Sequence, residues 1–63
     1  MTAKLFRDRL VSGAWRVECE VDDGAVEAAV FSGHNAFQRA LVFAGEYYGR
    51  FEQVRLPPLV GTA

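Results

Sequence analysis

Trp15, Val17, Cys19 and Val21 alternate with Arg16, Glu18, Glu20 and Asp22, the period-two pattern of a strand buried on one face. Asp23-Gly24 follows and predicts a two-residue type I′ turn, because both central residues of that turn need positive φ, which Gly and then Asp adopt at least cost. The turn sets the return. Asp22 faces Ala25, Val21 faces Val26, Glu20 faces Glu27, Cys19 faces Ala28, Glu18 faces Ala29, Val17 faces Val30, and Arg16 faces Phe31. Every inward pair is then apolar, and a slip of one residue would turn a whole strand over. Glu18, Glu20, Asp22 and Glu27 collect on the opposite face.

After this hairpin Ser32-Gly33 breaks the strand, and Ser32 is a candidate N-cap for a helix running to about Tyr48. Ala36, Ala40, Phe43, Ala44 and Tyr47 share one stripe, whose alanines let a helix lie close on a sheet. Phe37, Leu41 and Tyr48 widen that stripe, so part of the helix is expected to meet the N-terminal segment or a second molecule. Gly49 suits the helix stop. Arg50 to Leu56 reads as a closing strand ended by Pro57-Pro58, with residues 57–63 a mobile tail. A right-handed crossover would set this strand beside Trp15–Val21, leaving the latter central.

The opening segment carries two readings. As a strand it would turn at Ser12-Gly13 and set Leu10 beside Trp15 and Arg7 beside Glu18, with Asp8 inward. As a helix it would be capped by Thr2 and bury Phe6 and Leu10 on one face. The expected architecture is α+β in either case: a three- or four-stranded, mostly antiparallel sheet with one helix on one face, in the order ββαβ with an extra N-terminal strand or helix.

Sixty-three residues leave room for one small domain spanning 1–63. At 51% hydrophobic the chain is too apolar to be disordered, and its aromatic content favours docking or self-association. A single cysteine forms no internal disulfide, the charged N-terminus lacks the apolar core of a signal peptide, and no run approaches a membrane span. The expectation is a cytoplasmic protein. Charge is segregated: the first sixteen residues hold four bases against one acid, while Val17 to Phe31 holds five acids and no base.

Candidate chemistry is sparse. Cys19 and His34 are the only thiol and imidazole, one expected on a buried strand face and the other near a helix start, so they are not expected to form a nucleophile–base pair. No metal-ligand spacing, calcium loop or cofactor motif is present, and Asp22-Asp23-Gly24 is explained as a turn. No enzyme activity is expected. Lys4, Arg7, Arg9 and Arg16 could touch phosphate, but the overall acidity and lack of a recognition motif argue against direct nucleic-acid binding. The partner-binding residues expected are Glu18, Glu20, Asp22 and Glu27, because like charges set across strands lower stability, a cost a purely structural face would avoid.

The hairpin Trp15–Phe31, the segment His34-Asn35-Ala36-Phe37-Gln38-Arg39-Ala40 and the strand Phe51–Leu56 together resemble the small ββαβ proteins of phages and mobile elements, several anti-CRISPR proteins among them. That resemblance implies a non-enzymatic inhibitor that docks on a host CRISPR-Cas effector subunit and blocks nucleic-acid binding or assembly. The alternatives are a homo-oligomeric module that dimerises through Phe37, Leu41 and Tyr48, and a small nucleic-acid-binding accessory protein.

Overall fold

A computed structural model describes residues 2–55. Strands β1 (Ala3–Arg7), β2 (Trp15–Glu20) and β3 (Val26–Phe31) precede helix α1 (Ala36–Phe43), which widens into a π-helical turn over Ala44–Tyr48 before strand β4 (Phe51–Gln53). The sheet order is β3-β2-β1-β4, with β1–β2 and β2–β3 antiparallel and β1–β4 parallel. The fold is α+β, a mixed four-stranded open sheet with one helix against it. The expected mobile tail and the closing Pro57-Pro58 lie outside the described residues.

The N-terminal segment is the strand of the two readings, but its pairing differs from expectation. Arg7 faces Trp15 and Lys4 faces Glu18, because the connection runs from Asp8 to Ala14 rather than through a tight Ser12-Gly13 turn. Asp8 causes this. Its Oδ2 accepts the Leu10 and Val11 N–H groups at 3.0 and 2.8 Å, its own N–H donates to the Ala14 carbonyl at 2.9 Å, and the carboxylate satisfies a loop that has no ladder of its own. With β1 beside β2, the closing strand pairs with β1 and not with Trp15–Val21.

The hairpin register is also corrected. Trp15 faces Phe31, Val17 faces Ala29, Glu18 faces Ala28, Cys19 faces Glu27 and Glu20 faces Val26. The loop holds three residues, Asp22, Asp23 and Gly24: the Gly24 N–H reaches the Val21 carbonyl, Val21 N–H reaches the Ala25 carbonyl, and Gly24 sits at φ 87°. This is a type I turn closed by a left-handed glycine, braced by Asp23 Oδ1 on the Ala25 N–H at 2.9 Å. One extra loop residue turns β3 over. Phe31 gains a place under the helix, 5.3 Å from Phe43, while Val26 and Val30 are left 61% and 48% exposed.

Ala3, Leu5, Val17, Cys19, Ala40 and Ala44 form the core, ringed by half-buried aromatics. Ala36, Ala40 and Ala44 hold the helix against the sheet, as their spacing implies. Ser32 does not cap it. Asn35 is the N-cap residue, at φ 55° with no side-chain cap bond, and the Arg39 guanidinium donates instead to the carbonyls of Ser32 and His34. At the far end the wider π turn places Tyr48, not Tyr47, on the inward side after Ala44: Tyr48 is half-buried and Tyr47 is 65% exposed. Gly49, at φ 79°, then ends the helix.

Candidate partner-binding surface

Sheet alternation divides the residues between two faces. Leu5, Arg7, Trp15, Val17, Cys19, Glu27, Ala29 and Phe31 share the face under the helix, and Lys4, Phe6, Arg16, Glu18, Glu20, Val26, Ala28 and Val30 share the open one.

The four acids expected to act together are therefore separated. Glu27 lies on the helix face, where its Oε1 accepts the Tyr48 hydroxyl at 3.0 Å. Glu18 is on the open face but tied to Arg16, whose Nε donates to Glu18 Oε2 at 2.6 Å, and Lys4 stands directly across from it. Glu20 is exposed on the open face, and Asp22 is exposed in the loop. Neither is among the ion pairs of the described residues. Asp23, taken from the sequence as a turn residue only, joins them at the hairpin tip. Glu20, Asp22 and Asp23 thus form a compact acidic end. Its signal was the density of acids around the turn rather than their alternation along the strands.

The bases are divided too. Arg7 lies on the helix face, its guanidinium 5.4 Å from the centre of the Trp15 ring, a cation–π contact. Arg9 is in the exposed β1–β2 loop, while Lys4 and Arg16 are on the open face. Arg16 also reaches Asp8 at 3.5 Å, and the Glu18 hydrogen bond, with the charges of Glu18 and Asp8, raises its pKa further. The four cations do not line one groove that a phosphate backbone could follow.

Besides Phe31 and Phe43, further aromatic contacts mark the helix face. Trp15 packs against Phe37 at 4.5 Å, Phe43 stacks on Tyr47 at 5.1 Å, and Tyr47 meets Tyr48 edge-on at 4.9 Å. Phe37, Leu41 and Tyr48 are half-buried against the chain's own core, so much of the surface expected to pair helices is already covered by the sheet. A shallow apolar groove of about 430 Å³ opens between β3 and α1, lined by Phe31, Asn35, Gln38, Arg39, Val42 and Phe43.

Cys19 is a buried free thiol on β2, and His34 is exposed in the loop before α1. Among the described residues no three His, Cys, Asp or Glu side chains gather into a metal-holding group, and no helix is long and apolar enough to cross a membrane. No known protein family, curated protein or solved structure matches this chain.

Proposed function

We propose that this protein acts by occupying a basic surface on another protein, with the acidic tip of the β2–β3 hairpin as its leading contact. The observation that carries this reading is the exposure of Glu20, Asp22 and Asp23 within one turn of chain, outside the ion pairs that consume Glu18 and Asp8. Unpaired like charges at a projecting end raise the local field and speed encounter with a surface of opposite sign. A surface that normally holds nucleic acid fits that requirement, and the likeness in size and strand–helix order to anti-CRISPR proteins makes a CRISPR effector subunit the first such partner to test. The protein would act there as a non-enzymatic inhibitor.

The test is competition. A panel of purified CRISPR effector complexes is titrated with the protein while target-DNA binding is followed at low and high salt. Loss of DNA binding that is relieved by salt, and abolished by the double substitution Glu20→Lys with Asp22→Lys, is the expected result. DNA binding unaffected across the panel, or inhibition indifferent to the charge reversal, would overturn the reading.

A further inference from the structure

We infer that the free edge of β3 is an interface between two copies of this chain, paired antiparallel about a twofold axis through Ala28. The two edges of the sheet are built differently. β4 is three residues long, carries Glu52, and is flanked by Arg50 and Arg55, the short, charged form that resists further pairing. β3 is six residues, Val-Glu-Ala-Ala-Val-Phe, with no proline or lysine, and its one charge is drawn onto the helix side by Tyr48. Among the described residues it pairs with β2 alone, and of the usual protections against edge pairing it carries just the one inward-facing charge of Glu27, which Tyr48 holds under the helix.

Hydrogen-bond parity identifies the available groups. Val21 N–H donates to the Ala25 carbonyl, so Ala25, Glu27, Ala29 and Phe31 turn their backbone groups toward β2, and Val26, Ala28 and Val30 turn theirs outward. A twofold through Ala28 sets Ala28 against its own copy and Val26 against Val30 of the second copy, for about six new backbone bonds. The side chains agree with that register. Val26 and Val30, 61% and 48% exposed on the open face, become neighbours across the junction, with Ala28 between them. Glu27 falls opposite Ala29 of the second copy, so no like charges meet.

Charge complementarity extends beyond the strands. In an antiparallel pair the acidic tip of one copy runs toward the other's β3–α1 connection. Asp23 comes level with Gly33 of the second copy, beside the Arg39 guanidinium that holds the Ser32 and His34 carbonyls. The apolar groove between β3 and α1 opens along this same margin and adds Val42, itself 55% exposed, to the surface available. A standard interface buries roughly 800 Å² per partner, more than a single six-residue edge supplies, so the helix side of the groove must contribute. Among the described residues Leu5 and Val17 are the largest wholly buried side chains, and small domains with so thin a core gain from association.

The decisive measurement is light scattering of the full chain with three variants. The wild type should have the mass of two chains, and Val26→Lys should weaken the dimer at least tenfold with an unchanged circular dichroism spectrum. Under oxidised glutathione, Ala28→Cys should form a disulfide-linked dimer, since residues facing each other in a bonded pair lie about 5.5 Å apart at Cα, within disulfide range. Val30→Cys should not link to itself. A wild-type monomer at high concentration, a dimer indifferent to Val26→Lys, or linkage by Val30→Cys in place of Ala28→Cys would each overturn the proposal. If Val26→Lys failed to fold, the two cysteine variants would decide it.

Discussion

The Tyr48 hydroxyl donates to Glu27 Oε1 at 3.0 Å, joining the π-helical end of the helix to the edge strand. The bond exists because β3 presents Glu27 beneath the helix, opposite Cys19. In the register expected from an Asp23-Gly24 turn, Glu27 would have faced Glu20 on the other side of the sheet.

Burial, reinforced by the Glu27 hydrogen bond and charge, pushes the Tyr48 pKa up to about 12. A phenol whose pKa is about 10 when unfolded and higher when folded contributes stability that is complete below pH about 10 and is lost as pH rises through about 12. Tyrosinate absorbance followed through an alkaline titration should show one tyrosine ionising in that upper range. Tyr48→Phe should cost about 0.5–1.5 kcal/mol at neutral pH and remove this part of the alkaline destabilisation, both read from urea midpoints.

Asp8 behaves with the opposite sign. The Val11 N–H bond, followed by the Leu10 N–H and Arg16, holds its carboxyl below the usual carboxylate value against the opposing effect of burial. Its contribution is present above the unfolded pKa of about 3.9 and is lost as pH falls through the lower folded value. Asp8→Ala should therefore lower Tm at neutral pH, Asp8→Asn should lower it less because its side-chain oxygen still accepts the loop N–H groups, and both should flatten the acid limb of the stability profile.

Leu5 is wholly buried in the centre of the sheet. Leu5→Ala should cost about 2–5 kcal/mol, a large share of the stability available to a domain of this size. Thermal unfolding would show a collapsed or absent transition, whereas Leu10→Ala, at an 86% exposed position, should leave the midpoint nearly unchanged.

Gly24 tests the three-residue turn. A Cβ there would meet nothing within 4 Å, but the backbone stands at φ 87°. Gly24→Ala should therefore destabilise through conformation alone, by about 1–2 kcal/mol, with no new steric contact. Chemical denaturation would read the loss, and a neutral result would contradict the turn.

By itself the sequence determined the elements and their sides where one residue had one dominant reason for its place. The alternation of Trp15, Val17 and Cys19 points one strand inward, the Ala36-Ala40-Ala44 spacing lays a helix on a sheet, and Gly49 ends that helix. The pairings were decided only in three dimensions. Asp22-Asp23-Gly24 supports either a two-residue or a three-residue loop, and the choice reverses every side chain of β3. Phe31 gains the aromatic neighbours of the helix in one register and not in the other, and no local pattern contains that contact. The candidate site followed the same division. Glu20 and Asp22 remained exposed, Glu18 was claimed by Arg16 two residues before it on the same strand, and Glu27 was carried to the opposite face, because facing depends on a cross-strand register that the turn, and not the alternation, sets.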